Sequence, residues 1–391
     1  MSCANNDAGG DRRPMRDRGE RLIGLELLRF LAAIGVLVWH YQHFMFVGHT
    51  ETNYDWSRLP LRWLFAPFYT YGYEGVELFW CISGFIFTWK YGPLISRAGL
   101  SFGRFAMLRF SRLYPLHLAT LLIVAVLQYL YFTRYGETFV YIFNDTAHFV
   151  MNLFFANWWG FQSGESFNGP SWSVSAEVLI YVIFFWVSRR AGTGWKIDAL
   201  ALLGFSIAAP LAKALFGIKL AFTGAGTFFY LGALTCHLHQ WTETLDPRWR
   251  RRILWACVAL IAIPAALAYA HVLKIAGASL PMFPASVLFV QLAVRPQGQR
   301  PRAWLTGLGN LTYASYMLHF PMQLTIVMLL GALSIPVQPL VYTDGFMLAY
   351  LGMVLAAAFV VFRWVERPAQ ALLRGWGRRD SSARKTIAYT S

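Results

Sequence analysis

Arg29 and His40 stand eleven residues apart in one apolar stretch, Leu27-Leu28-Arg29-Phe30-Leu31 through Val38-Trp39-His40. On an α-helix that is about three turns, so both side chains share a face and lie about 16 Å apart along the axis. The distance suits the length of a thioester-bearing pantetheine arm rather than a direct contact. An arginine can grip phosphate, and a neutral imidazole can take the proton of a hydroxyl as it attacks a carbonyl. The structural alternative is a His40 that only hydrogen-bonds between helices and an Arg29 that snorkels to the headgroups.

Other groups gather around this pair in type. Arg109 and Arg112, at i and i+3 in Leu108-Arg109-Phe110-Ser111-Arg112-Leu113, make a forked phosphate site if their face looks inward, and otherwise serve as topogenic charge. Glu77, with Glu74 nearby, is a candidate to orient His40 by accepting its second ring proton, or to pair with Arg29 instead. Pro170-Ser171-Trp172-Ser173 followed by Glu177 has the form of a helix start facing a polar cavity, in which Ser171 and Ser173 can equally be plain caps. His319, two residues before Pro321, is a second base, a substrate contact or a structural hydrogen-bonder. His40 with His43, and His237 with His239, lack neighbouring carboxylate or thiol ligands, so no metal site is expected.

The elements that must position these residues are set by solvent. The chain has 391 residues, 57% apolar, 17% aromatic and 14% charged, too little polar material to clothe a water-soluble fold. Apolar runs of about twenty residues recur, the length a helix needs to cross a ~30 Å hydrocarbon layer, and strict ten-residue alternation of the β-barrel kind is missing. The net charge of +15 comes from Arg and Lys between apolar runs, where cytoplasmic loops carry them, so nucleic acid is not an expected partner. Cys3, Cys81, Cys236 and Cys257 form no paired framework. The first apolar run lacks a small-residue cleavage signal, so no removable signal peptide is expected.

The charge pattern admits one consistent topology. Arg12, Arg13, Arg16, Arg18 and Arg21 hold the N-terminus in the cytoplasm, and spans follow at about 24–46, 70–89 and 113–132. The segment at 146–161 has to be re-entrant or interfacial, because a full crossing would place Arg189, Arg190 and Lys196 outside. Further spans are expected at 172–188, 197–213, 220–238, 253–273, 279–294, 304–330 and 346–364. The expected fold is therefore all-α and polytopic, with about ten transmembrane helices, one re-entrant or interfacial segment and both termini cytoplasmic. Residues 1–21 form a basic cytoplasmic segment, 22–375 one membrane domain, and 376–391 a disordered cytoplasmic tail.

With these landmarks in order, the chain resembles the acyltransferase 3 family of bacterial membrane proteins. The resemblance rests on the Arg29-x10-His40 helix, the Val76-Glu77-x-Phe79 segment ending Ser83-Gly84-Phe85, and Arg109-x-x-Arg112-Leu113-Tyr114-Pro115. It continues through Pro170-Ser171-Trp172-Ser173 with Glu177, and Tyr316-Met317-Leu318-His319-Phe320-Pro321 with Arg363-Trp364-Val365-Glu366-Arg367-Pro368 downstream. The family often has Asp at the place of Glu77 and Phe at that of Trp80. The resemblance implies an O-acyltransferase of the bacterial inner membrane. It implies acyl-CoA, expected to be acetyl-CoA, as donor substrate with no resident cofactor, and a carbohydrate or glycolipid acceptor such as exopolysaccharide, lipopolysaccharide or a Nod-factor-like molecule. His40 then matches the proposed catalytic histidine, and Arg29, Arg109 and Arg112 the required arginines. The rival reading is a permease or flippase for a lipid-linked sugar, which would use the same buried charges as a path.

Overall fold

In hydrocarbon every backbone amide needs an internal partner, and the apolar runs meet that requirement as helices. The computed structural model describes residues 22–217, 220–294 and 303–375. The helices are α1 (Ile23–His40), α2 (Arg62–Tyr71), α3 (Gly75–Lys90), α4 (Gly92–Ser96), α5 (Phe102–Tyr135), α6 (Thr146–Leu153) and α7 (Trp172–Arg190). They continue as α8 (Trp195–Phe216), α9 (Thr223–Thr242), α10 (Pro247–Tyr269), α11 (Ile275–Ala293), α12 (Ala303–Ala332), α13 (Val337–Val341) and α14 (Asp344–Val361). Among the described residues the strands are β1 (Phe46–Val47) and β2 (Thr50–Glu51), an antiparallel pair with Phe46 opposite Glu51. The protein is an all-α polytopic membrane protein.

Among the described residues eight helices are long and apolar enough to cross a bilayer, and they overlap the expected spans at 24–46, 113–132, 172–188, 197–213, 253–273, 279–294, 304–330 and 346–364. The spans expected at 70–89 and 220–238 coincide with α3 and α9, which are shorter or more polar and pack on one another inside the bundle. Two glycines explain how closely they approach. A Cβ on Gly84 would overlap the Phe229 carbonyl, and one on Gly232 would overlap the Cys81 carbonyl. Small residues of this kind let backbones meet where lipid supplies no hydrophobic drive. Gly232→Ala is expected to cost about 1–3 kcal/mol of stability as overpacking, read as a lower melting temperature in detergent or nanodiscs. An unchanged melting temperature would show that the two backbones have room to part.

The segment expected at 146–161 does not cross. Its helix α6 has eight residues, about 12 Å of rise, and the chain turns back through Phe155 and Trp158 to lie against α7. There the Trp158 backbone N–H donates to Ser175 Oγ at 3.1 Å, and Trp159 Nε1–H donates to the Ser175 carbonyl at 3.0 Å. The outer ring is lipid-facing. On α8 Leu200 and Phe216 are 70% and 71% exposed, as expected of apolar side chains solvated by acyl chains. The basic segment 1–21, the tail 376–391, and Arg295, Arg300 and Arg302 lie outside the described residues. Cys81, Cys236 and Cys257 are buried free thiols, whereas Cys3 lies outside the described residues.

Pro321 inside α12 has a direct structural consequence. It has no N–H to give the Met317 carbonyl one turn back, and Asn168 Nδ2 donates to that carbonyl at 3.0 Å instead. The loop before α7 is thereby fastened to α12 beside His319.

Candidate active site

An open cavity, about 810 Å³ with the solvent space at its mouth included, lies between α1, α3, α5, α7 and α12. Arg29, Arg109, Arg112 and Glu177 line it, so its charged groups sum to a positive excess suited to an anion. The first turns of α5 carry the expected fork: Arg109 and Arg112 open onto the same space, together with Arg29 from α1. Arg109 is clamped. Its guanidinium carbon lies 5.1 Å from the centre of the Phe87 ring and 4.9 Å from that of Tyr91, and Nη2 donates to the Tyr91 hydroxyl. Arg29 Nη1 is 3.8 Å from Glu26 Oε2. Arg112 makes no hydrogen bond or ion pair to another described residue, which leaves its donors for a ligand.

Glu177 enters the cavity one turn into α7, and both the Ser83 and Tyr181 hydroxyls donate to its Oε1. Its neighbours in the motif divide their tasks. Ser171 accepts from Asn157 Nδ2 at 3.2 Å and donates to Asn152 Oδ1 at 3.3 Å, which ties it into the outer loop. Trp172 packs between Trp80 and Trp158. Ser173 lines the cavity, its hydroxyl 2.7 Å from that of Tyr316, which in turn donates to the Pro170 carbonyl at 2.6 Å.

His40 is not on the cavity wall. It sits in a cluster of three buried imidazoles, its ring centre 4.6 Å from that of His319 and 5.0 Å from that of His43. Tyr316 lines the cavity, and His319 follows one helical turn along α12 with its ring 5.7 Å from that of Tyr316. Tyr316 thus stands between the cavity and the imidazole cluster, a cavity residue in ring contact with His319. Backbone carbonyls fix the cluster's tautomers, since a carbonyl can only accept. His40 Nδ1–H donates to the Val36 carbonyl at 2.9 Å, and His319 Nδ1–H to that of Tyr316. Gln323 donates through Nε2 to the His40 carbonyl at 2.8 Å, so its Oε1 faces His43 and accepts from Nδ1–H at 3.0 Å. His43 Nε2 then accepts from Tyr141 at 3.4 Å.

The geometry departs from the sequence expectation at Glu77. This carboxylate turns away from the imidazoles and accepts from Ser279 of α11 at 3.3 Å, while the second ring proton of His40 goes to Val36. An i to i−4 carbonyl inside α1 supplied the orienting acceptor locally, so no carboxylate was needed. Tyr91, Tyr181 and Gln323 were not singled out from sequence, because their partners lie far along the chain. Tyr316, by contrast, stands three residues before His319, a helical spacing that could have placed it on the same face.

Outside the spans, burial pushes the Glu165 carboxyl up to about 7. The nearby His148 Nδ1–H donates to Asp145 Oδ2 at 2.7 Å, and the Asp145 carboxyl is held low, chiefly because it accepts the His148 backbone N–H. A raised folded-state value means that folding favours the protonated carboxyl, so Glu165 weakens the fold as pH rises from about 4.5 through about 7. Glu165→Gln is expected to melt higher than the wild type at pH 8 and at the same temperature at pH 4, by differential scanning fluorimetry. Equal melting at both pH values would show the carboxylate to be hydrated.

A family model described as an acyltransferase domain, Acyl_transf_3, matches residues 22–363. Acyltransferase MdmB of Streptomyces mycarofaciens is 28% identical over 172 residues, 44% of this chain and 40% of that protein. The match thus spans less than half of either chain. No solved structure matches significantly.

Proposed function

Because the chain belongs to the acyltransferase 3 family and is a polytopic membrane protein, we propose that it is an acyltransferase, moving an acyl group, acetyl in the first instance, from a coenzyme A thioester to a hydroxyl of a cell-surface carbohydrate or glycolipid. The bacterial inner membrane is the proposed location. One observation supports this reading above others: Arg29, Arg109 and Arg112 share one cavity, and Tyr316 on its wall lies a single helical turn from an imidazole pair.

In this reading the donor's phosphates sit against Arg109, Arg112 and Arg29, and the pantetheine arm runs up the cavity and past Tyr316. The acceptor hydroxyl oxygen attacks the thioester carbonyl carbon while its proton passes to His40 Nε2. Collapse of the tetrahedral adduct breaks the carbon–sulfur bond. The proton on His40 then goes to the departing thiolate, giving free coenzyme A and the ester. Val36 does the orienting, since its carbonyl keeps the proton on Nδ1 and the lone pair on Nε2.

The test is purified protein in lipid nanodiscs with acetyl-labelled acetyl-CoA. Release of labelled acetate or formation of a labelled ester is expected. A protein that does neither, yet moves a lipid-linked sugar across the bilayer, would be a permease or flippase and the proposal would fall.

A further inference from the structure

We propose that His40 and His319 together form a diol-binding site, so that the acceptor is a molecule with two neighbouring hydroxyls, one that reacts and one that is held. The inference rests on the acyl-transfer reading and names the acceptor's chemistry within the same site.

It follows from counting hydrogens. Both rings commit Nδ1–H to a backbone carbonyl of their own helix, Val36 for His40 and Tyr316 for His319. In the neutral form each ring then presents only a lone pair, at Nε2. His319 is 0% exposed, and its Nε2 is buried without a hydrogen-bond partner among the described residues. No described residue donates to His40 Nε2 either. The third imidazole shows what satisfaction looks like here, since His43 Nε2 has the Tyr141 hydroxyl. Two ring centres 4.6 Å apart thus offer two acceptors and no donor. A buried acceptor left unpaired is costly, and native structures rarely keep one without purpose.

The occupant has to bring two hydrogens. A simple alcohol brings one, which satisfies a single ring. A vicinal diol, the repeating feature of a sugar ring, brings two on adjacent carbons, a spacing that suits adjacent imidazoles. His40 takes the proton of the attacking hydroxyl, and His319 holds its neighbour and thereby fixes which oxygen reacts. His319 then acts as a substrate-positioning residue and not as a second base. A ligand-bearing metal is a poorer fit, because no group of three or more His, Cys, Asp or Glu among the described residues is disposed to hold one.

The experiment uses the full chain, labelled with nitrogen-15 at histidine, in nanodiscs, titrated with trans-cyclohexane-1,2-diol or with cyclohexanol. The diol is expected to shift the Nε2 resonances of both His40 and His319 and to bind at least about tenfold more tightly than cyclohexanol, which shifts at most one. In His319→Phe the affinity for the diol is expected to fall to that for cyclohexanol, with the His40 response kept. Equal affinity for the two probes, or a His319 resonance that the diol does not move, overturns the proposal. The comparison in wild-type protein decides even if the variant fails to fold. The readout needs no turnover, so a protein whose two rings respond to the diol but which never cleaves acetyl-CoA would sink the acyl-transfer reading and leave the diol site standing.

Discussion

His40→Gln is expected to lower kcat for acyl transfer by about 10²- to 10⁴-fold, the range that a positioned general base contributes, with KM for acetyl-CoA changed by less than about threefold. Glutamine can fill much of the imidazole's volume and still hydrogen-bond, but it cannot carry the proton from hydroxyl to thiolate. The division between kcat and KM follows from the layout. The arginines that hold the donor's phosphates in the proposed mechanism lie on the cavity wall, and His40 lies beyond Tyr316. The measurement is steady-state transfer from labelled acetyl-CoA, with melting temperature as the control for folding. A variant that folds normally and still transfers at the wild-type rate would exclude His40 as the base.

Arg112→Ala has the second largest expected effect, on the other side of the same division. A hydrogen bond to a charged partner is worth about 1.5–3 kcal/mol, so KM for acetyl-CoA should rise by about 10- to 100-fold while kcat stays within a few-fold. Arg112 is the cleanest of the three arginines for this purpose, since it makes no hydrogen bond or ion pair to a described residue; its charge acts on the buried Glu366 carboxyl, so the melting temperature is measured beside KM. Arg109→Ala would also remove the contacts with Phe87 and Tyr91 and should lower stability along with affinity. Arg112→Lys keeps the charge but loses the fork and should recover only part of the affinity. An unchanged KM in Arg112→Ala would move the phosphates elsewhere.

Much of the architecture was legible because membrane helices announce themselves by length and apolarity. The non-crossing nature of 146–161 was readable from loop charge: Arg189, Arg190 and Lys196 allowed nothing else. The central helices α3 and α9 were readable as helices, but their tight pairing depends on Gly84 and Gly232 meeting carbonyls about 150 residues away in the chain, which a local pattern does not encode. The candidate site divides in the same way. Arg109 and Arg112 were placed together by an i, i+3 spacing within one helix, and the structure brings them to one cavity with Arg29. Glu77 was paired with His40 on chemical grounds, yet helix rotation turns it to Ser279. The histidine cluster joins α1 to α12 across nearly 280 residues, so His319 could be singled out by type and its contact with His40 could not.

The glycine contacts between α3 and α9 also bear on how a donor gains entry. Cys81 and Phe229 carbonyls rest against the partner backbone at two successive levels, so neither helix has clearance to roll or slide on the other. An adjoining face of α3, through Val76, Phe79, Trp80 and Ser83, forms one side of the cavity, and that side is accordingly a fixed jamb. Any widening for a bulky nucleotide falls to the other walls, α1, α5, α7 and α12. A disulfide cross-link joining α3 to α9 would accordingly leave such traffic untouched.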